Sequence, residues 1–248
     1  MNKNFFGKCS ALILSVITSF TFIFALTACG GNKETGVDFS QLTYIAFGDS
    51  ITYGEVASTG AQMEKPYPNL VAEELGLKAV RNYGERNATV KVPSTTSNKP
   101  NIFTKVNEAS ATADIVSVMI GINDFGAGYA LGTAEDTDSK VSLYGAFKSL
   151  TTVLQAKYPN SFIFFMTPLK PFYWEETNSA GYTLVELSNA IKSICGDKNI
   201  SVLDLNATSQ FSPETDLACS DGLHPSQRFF EEYLAPQIAQ FIKDNYSK

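Results

Sequence analysis

The sequence of 248 residues predicts an α/β fold, a three-layer α/β/α sandwich with a parallel sheet at its centre. Short apolar runs rich in β-branched and aromatic residues alternate with segments of helical spacing, which is typical of strand–helix–strand units. The runs are nearly continuous in Val, Ile, Phe and Leu, as expected of strands that are covered on both faces. They lie too far apart along the chain for hairpins, so we expect them to pair in parallel.

Five such runs predict a central five-stranded sheet. Their predicted bounds are 43–47, 78–82, 115–120, 162–166 and 201–205. Apolar residues at steps of three and four predict four helices, over 67–75, 141–158, 184–195 and 225–243. In the last helix we expect Pro225 to occupy the first turn. Its side facing the sheet should carry one apolar stripe, formed by Phe229, Tyr233, Leu234, Ile238 and Phe241.

The N-terminal segment predicts export from the cytoplasm. Lys3 and Lys8 precede an uncharged stretch over residues 11–28, which is the order of charge and apolarity found in export signals. Cys29 follows Ala28 directly, and this junction resembles the lipobox of bacterial lipoproteins, in which the cysteine receives the lipid. An uncleaved anchor helix is the alternative, and either interpretation places the rest of the chain outside the cytoplasm.

Three regions follow from this interpretation. Residues 1–28 form a lipoprotein signal peptide, residues 29–40 a flexible polar tether, and residues 41–248 a single folded domain. Removing Lys3 and Lys8 changes the formal net charge from −6 to −8, and no run of Lys or Arg is present, so we expect no nucleic-acid partner. We expect a monomer that reaches the membrane through its N-terminal lipid.

Two cysteines, Cys195 and Cys219, remain in the predicted domain. A compartment outside the cytoplasm permits a disulfide between them, and two separate buried thiols are the alternative. No metal site is expected, because the chain has one histidine and neither cysteine belongs to a CxxC pair.

Three junctions that follow predicted strands carry residues suited to chemistry. They read Gly48-Asp49-Ser50-Ile51, Gly121-Ile122-Asn123-Asp124 and Asp221-Gly222-Leu223-His224-Pro225. In open parallel sheets, ligands bind beyond the carboxyl ends of the strands, where such junctions meet. The three resemble, in order and spacing, the GDS, GxND and DxxHP blocks of the SGNH (GDSL) hydrolase family. The resemblance implies a flavodoxin-like SGNH hydrolase fold and a serine ester hydrolase that needs no cofactor.

The resemblance assigns a catalytic triad to Ser50, Asp221 and His224. A serine attacks an ester only when a base removes its proton, and His224 is the single histidine of the chain. Asp221, three residues earlier, would orient the imidazole. Ordinary structural roles are the alternatives: Ser50 as a helix N-cap, His224 as a surface cap and Asp221 as a turn residue.

The resemblance also implies an oxyanion hole formed by the N–H of Ser50, a second N–H and the side-chain amide of Asn123. The second N–H comes from a block that reads N-x-G-x-x-G-x-T in many members. Aligning Asn82, Gly84 and Thr89 with this block puts Asn87 where the donor glycine belongs. Asparagine tolerates positive φ better than the other non-glycine residues, so the hole can survive, and altered specificity or weakened catalysis is the alternative.

Arg86 and the aromatic segment that includes Trp174 are candidates for the lining of the substrate site, and a solvated loop charge and an aromatic run that closes the core are the alternatives. Such a wall suits a sugar ring or a short acyl group. We therefore expect an acyl esterase that uses an acyl-serine intermediate on short acyl esters such as acetylated carbohydrate. The alternatives are a lysophospholipase or thioesterase acting on lipid, and a non-catalytic lipoprotein that binds glycan on the same scaffold.

Replacing Cys29 with serine should release the protein from the membrane fraction, because the predicted lipid attachment needs the thiol. Fractionation of cells that express Cys29→Ser, beside cells with the unchanged chain, checks this expectation. Retention of the variant in the membrane fraction would instead support the uncleaved anchor helix.

Overall fold

The core of the molecule is a sheet of five parallel strands in the order β2-β1-β3-β4-β5. In the computed structural model the strands are β1 (Thr43–Gly48), β2 (Ala79–Gly84), β3 (Ile115–Met119), β4 (Phe162–Met166) and β5 (Ser201–Leu203). The structure describes residues 36–92, 99–172, 174 and 176–247. The predicted signal peptide, Cys29 and most of the tether lie outside these residues. The strand order is that of flavodoxin-like sheets, as expected.

Helices cover both faces of the sheet. They are α1 (Ser50–Tyr53), α2 (Tyr67–Leu75), α3 (Ile102–Glu108), α4 (Ile122–Gly126), α5 (Leu143–Lys157), α6 (Leu184–Gly196), α7 (Leu205–Thr208), α8 (Gln227–Phe229) and α9 (Ala235–Asn245). The first face packs against α3, α5 and α6, and the second against α2 and α9. Each element in the described ranges is too short or too polar to cross a membrane as a helix.

The sheet has a hydrophobic core on each face, because the side chains of each strand point alternately to the two faces. The side chains of Ile45 and Phe47 in β1 lie in one core, whereas those of Tyr44 and Ala46 lie in the other, as the two-residue period of a strand requires. The three-layer prediction and the central five-stranded sheet are therefore confirmed. Every strand of the sheet overlaps its predicted bounds.

The C-terminal helical region differs from its prediction. Ser226 is the N-cap, its side chain accepts the N–H of Phe229, and Pro225 lies before the cap, so the placement of Pro225 in the first turn was wrong. A π-helical turn over Phe230–Leu234 then separates α8 from α9. This wider turn rotates the helix, with the result that Phe230 and Ile242 are buried while Tyr233 and Phe241 are only partly buried.

The reversal of strand order between β1 and β3 positions the chemical residues. Chain segments leaving β1 and β3 turn to opposite faces of the sheet and leave a crevice between them. The first residue of α1 is Ser50, and Asn123 lies in α4 directly after β3. Two of the three motif segments thus meet at the carboxyl edge of adjacent strands.

Two glycines allow α1 to lie close against this edge. Gly48 of β1 and Gly84 of β2 are register partners. A methyl group at Gly84 would overlap the backbone nitrogen of Tyr53, and one at Gly48 would overlap the side chain of Thr52 and the carbonyl oxygen of Met119. Only glycine therefore permits this approach of the helix that begins with Ser50.

We expect Gly84→Ala to lower the free energy of unfolding by about 1–3 kcal/mol, because its methyl group meets backbone that no rotamer change can move. Gly196→Ala is the matched control, since a methyl group there meets nothing within 4 Å. It should keep or raise the free energy of unfolding, by up to about 1 kcal/mol, because alanine restricts the unfolded chain and favours the helix. Urea unfolding of both variants checks the difference, and equal stabilities would contradict the close approach.

Candidate active site

Ser50 begins a helix of one turn that follows directly from β1. The carboxylate of Asp49 caps this helix by accepting the N–H of Ile51 at 3.0 Å, and Gly54 ends it with φ of 86°. Ser50 itself is buried, with 4% of its surface exposed. The helix start holds the hydroxyl at the carboxyl edge of the sheet and leaves its own N–H without an intrahelical acceptor.

Asp221 and His224 face Ser50 from a tight turn near the C-terminus. One oxygen of Asp221, Oδ1, accepts the backbone N–H groups of Leu223 and His224, each at 2.9 Å. Gly222 supplies the positive φ of 71° that this turn needs. The other oxygen, Oδ2, lies 2.6 Å from His224 Nδ1, and His224 Nε2 lies 2.8 Å from Ser50 Oγ. The three predicted residues thus form one continuous hydrogen-bonded chain.

The pKa of Asp221 lies below its usual value. Burial raises it, but the hydrogen bonds from the His224 ring and from the N–H groups of His224 and Leu223 lower it further than burial raises it. An ionised Asp221 at neutral pH fixes the proton of the neutral imidazole on Nδ1 and leaves Nε2 free to accept the proton of Ser50.

Asn123 and Asp124 join α4 to the loop after β2. The side-chain amide of Asn123 donates to the carbonyl oxygen of Ala88 at 2.9 Å. The buried carboxylate of Asp124 accepts the N–H of Val90 at 3.0 Å and that of Lys91 at 2.9 Å. These bonds fix the loop that carries Asn87 against the segment that carries Asn123.

Asn87 adopts the left-handed backbone conformation, with φ of 60°. The replacement of the family's glycine therefore keeps a conformation that glycine favours, as asparagine allows. At the start of the loop, Asn82 accepts the N–H of Gly84 at 2.8 Å and donates to the carbonyl oxygen of Thr52 at 2.7 Å. In the described part of the chain, the N–H groups of Ser50 and Asn87 donate to no other group.

The comparison with known families agrees with this geometry. Residues 46–229 match the model of the GDSL-like lipase/acylhydrolase family. The chain belongs to this family. It is accordingly an ester hydrolase. No curated protein matches the chain.

Solved structures share the fold of this hydrolase. A protein from Lactobacillus plantarum is 22% identical, with a TM-score of 0.71 over 85% of this chain and 100% of its own. The aryl esterase of M. smegmatis is 18% identical, with a TM-score of 0.62 over 83% and 100%. A carbohydrate acetylesterase family member from Sinorhizobium meliloti is 20% identical, with a TM-score of 0.58 over 82% and 99%.

The two residues expected to line the substrate site have different surroundings. The Arg86 guanidinium, 46% exposed, lies 2.8 Å from Oε1 of Glu55. Trp174 stacks on Phe125 of α4, with ring centroids 6.1 Å apart, at a surface cavity of about 320 Å³. Neither Ser50 nor His224 lines that cavity. Tyr173, between Phe172 and Trp174, lies outside the described residues.

Glu55 is a residue of the site that the sequence pattern does not mark. Its Oε2 lies 3.7 Å from His224 Nε2, and its side chain is 13% exposed. A glutamate five residues after Ser50 belongs to none of the three motifs. Its only signal in the sequence is its place just after the turn that ends at Gly54.

Cys195 and Cys219, the cysteines among the described residues, are free and buried. Cys195 lies in α6 against one face of the sheet, whereas Cys219 lies in the core against the other face. The disulfide alternative was therefore wrong, because the sheet separates the two thiols. Burial raises the pKa of each to about 12, so both are poor nucleophiles. Among the described residues, no cluster of three His, Cys, Asp or Glu side chains suits a metal ion.

Two buried carboxylates beside the triad have raised pKa values. Burial raises the pKa of Asp49 to about 7, against the lowering effect of the Ile51 N–H and of His224, and the neighbouring Asp124 raises it further. Burial raises the pKa of Asp124 to about 6, against the lowering effect of the Val90 and Lys91 N–H groups. Both carboxyls therefore bind protons more tightly in the folded hydrolase than in the unfolded chain.

Asp49→Asn should change how stability depends on pH. The folded pKa of Asp49 exceeds the unfolded value near 3.9, so its stabilising effect is complete below about pH 4 and is lost as the pH rises through 7. Asparagine keeps an acceptor for the Ile51 N–H and does not titrate. The free energy of unfolding of the variant, relative to the unchanged hydrolase, should therefore rise by about 1 kcal/mol or more between pH 5 and pH 8.5.

Urea unfolding at the two pH values measures this difference. Asp221 titrates below this pH range in both proteins, so its effect cancels in the comparison. Loss of the Asp49 charge also removes its repulsion with the ionised Asp124, which acts in the same direction. A difference that stays constant with pH would contradict the raised pKa of Asp49.

Proposed function

We propose that this hydrolase cleaves its ester through an acyl-serine intermediate on Ser50. The observation that carries the proposal is the chain of two short hydrogen bonds, 2.8 Å from Ser50 Oγ to His224 Nε2 and 2.6 Å from His224 Nδ1 to Asp221 Oδ2. A serine that only caps a helix and a histidine that only lies at the surface do not depend on these hydrogen bonds, whereas nucleophilic catalysis by a serine requires them.

Each group has a defined task in the proposed reaction. Ser50 Oγ attacks the carbonyl carbon while His224 Nε2 takes its proton, and Asp221 stabilises the imidazolium that forms. The bond from the carbonyl carbon to the alcohol oxygen then breaks, and Nε2 gives the proton to that oxygen. Water attacks the acyl-serine with the same proton relay, which releases the acid and restores the Ser50 hydroxyl.

Three donors are proposed to stabilise the negative charge on the carbonyl oxygen: the N–H groups of Ser50 and Asn87 and the side-chain amide of Asn123. The support for Asn87 is its left-handed backbone together with its N–H, which donates to no other group of the described residues. The support for Asn123 is its bond to the Ala88 carbonyl, which orients the amide and leaves a second N–H of the same NH₂ group.

We propose short acyl esters of carbohydrate as the substrate class. A cavity of about 270 Å³ lies beside His224, a size that suits a small group better than a long acyl chain. The fold is shared with an acetylesterase family member that acts, by its name, on carbohydrate. Lysophospholipid is the second candidate, because Leu217, 83% exposed, adjoins Ala218 in the lining of this cavity.

The proposed place of action is outside the cytoplasm, with the hydrolase held at the membrane by a lipid on Cys29. Its support is the sequence of residues 1–30, in which positive charge, an apolar stretch and a lipobox-like cysteine follow in order. A carbohydrate ester of the cell surface would be accessible from that position.

Hydrolysis of p-nitrophenyl acetate and octanoate by the detergent-solubilised full chain tests the proposed function. We expect turnover of the acetate at least tenfold above the octanoate, and a loss of about 10³-fold or more in Ser50→Ala and His224→Ala. A fluorophosphonate probe should label Ser50 in the unchanged hydrolase, because labelling needs an activated serine.

Thermal unfolding of the two variants controls for loss of the fold. Preference for the octanoate would move the substrate class to lipid. Absence of both turnover and labelling would contradict the catalytic proposal and favour a glycan-binding protein on the same scaffold. Substantial turnover by His224→Ala would show that another group acts as the base.

A further inference from the structure

Glu55 is built into the site by the turn that ends α1. Its N–H donates to the carbonyl oxygen of Ser50 at 2.9 Å, and it forms a bridge with Gln62 across a short loop. The side chain is largely buried, with 13% of its surface exposed. The backbone that presents the nucleophile therefore also determines the position of this carboxylate.

The two carboxylate oxygens of Glu55 have different surroundings. Oε1 accepts from Arg86 Nη2 at 2.8 Å, which holds the side chain in place. Oε2 lies 3.7 Å from His224 Nε2, which is too far for a hydrogen bond. Within the described part of the chain, Oε2 accepts no hydrogen bond, and it is not sealed from solvent.

The distance from Oε2 to His224 Nε2 indicates that Oε2 would face the alcohol part of the ester. His224 Nε2 gives its proton to the oxygen of the departing alcohol in the proposed reaction, so a carboxylate oxygen 3.7 Å from Nε2 is within reach of groups bonded next to that oxygen. A carboxylate oxygen can only accept hydrogen bonds. Its natural partner is a donor on the alcohol close to the ester oxygen, and a simple acyl chain offers no such donor.

We propose that Glu55, positioned by Arg86, binds a hydroxyl group of the leaving alcohol next to the scissile ester. The substrate is then an ester of a polyhydroxy alcohol, such as a sugar or glycerol, in which a free hydroxyl neighbours the acylated one. The N–H groups of the Arg86 guanidinium that do not bond to Glu55 belong to a side chain that is 46% exposed, and they can donate to a second hydroxyl oxygen. The inference rests on the proposed ester hydrolysis by Ser50 and His224.

The cavity beside His224 supports this assignment. Val56 and Ala57, which follow Glu55, line it together with Ser58 and Ser220, whereas Glu55 and Ser50 lie outside its lining. Hydroxyl groups among small apolar side chains suit a ring or chain that carries several hydroxyls.

A different role for Glu55 makes a different prediction. Its carboxylate could act on His224 alone, by stabilising the imidazolium that forms in the reaction. Loss of the negative charge would then slow the hydrolysis of all esters by the same factor. Recognition of the alcohol would instead slow only esters whose alcohol carries the extra hydroxyl groups.

Propyl acetate and glycerol 1-monoacetate separate the two roles, because they share the acyl group and the three-carbon chain and differ in the hydroxyls. We expect the unchanged full-length hydrolase to prefer the glycerol ester in kcat/KM. Glu55→Ala should lower kcat/KM for the glycerol ester by about 10- to 100-fold, the usual effect of one hydrogen bond to a charged group. Its kcat/KM for propyl acetate should change less than about threefold.

Glu55→Gln provides the conservative comparison. Its amide oxygen can still accept a hydroxyl, so it should retain a clear part of the preference for the glycerol ester. Glu232→Ala is the matched control, since Glu232 pairs with Arg228 at 2.9 Å on the exposed side of the C-terminal helical region. That variant should leave both substrates unchanged.

Three outcomes would overturn the inference: no preference in the unchanged hydrolase, an equal fall on both esters in Glu55→Ala, or a fall on both in Glu55→Gln. These outcomes can be read only when the hydrolysis of propyl acetate is measurable and depends on Ser50. Inactivity on both esters together with no fluorophosphonate labelling would instead contradict the proposed function itself. Thermal unfolding shows whether the Glu55 variants keep the fold.

Discussion

The site depends on two parallel strands that end side by side while their following segments turn to opposite faces of the sheet. This reversal between β1 and β3 leaves a crevice at the carboxyl edge, into which Ser50 and Asn123 project from one-turn helices. Helix α1 lies close against this edge because Gly48 and Gly84 have no side chains to hold it away. Ser50 is therefore positioned by backbone packing, which is stiffer than a loop.

A set of hydrogen bonds holds the loop in which Asn87 replaces the glycine of other family members. The loop after β2 has Asn87 at the position where many family members have glycine, yet φ remains positive at 60°. Asn123 and Asp124 hold this loop through the Ala88 carbonyl and the N–H groups of Val90 and Lys91. Burying the Asp124 carboxylate is unfavourable, which is why its pKa rises to about 6, and the two N–H donors offset part of that cost.

The sequence was sufficient for features that depend on local pattern. The buried strands read as continuous apolar runs, and α2 has the predicted bounds because Gly76 ends it and Pro68 suits its first turn. The triad residues were recognisable because one histidine and three motifs left few choices. The structure places Ser50, His224 and Asp221 in contact, although 174 positions separate the first two.

Features that depend on the meeting of distant segments could not be predicted. Glu55 approaches His224 only because the turn after α1 and the C-terminal turn converge in three dimensions. Cys195 and Cys219 are both buried, but no sequence pattern shows that they lie on opposite faces of the sheet. The π-helical turn after Phe229 is likewise set by packing, because helical periodicity alone gives no reason to insert it.

The distance in sequence between Ser50 and His224 has a consequence for the chain before it is complete and folded. The serine lies in the first helix after β1, whereas its base precedes the helical region that packs against α2. Synthesis proceeds from the N-terminus, so the serine is made long before the histidine. In the proposed reaction the hydroxyl is an ordinary alcohol throughout that interval, so an incomplete or truncated molecule cannot attack esters in its surroundings. Reactivity by that route thus appears only in molecules that have completed their fold.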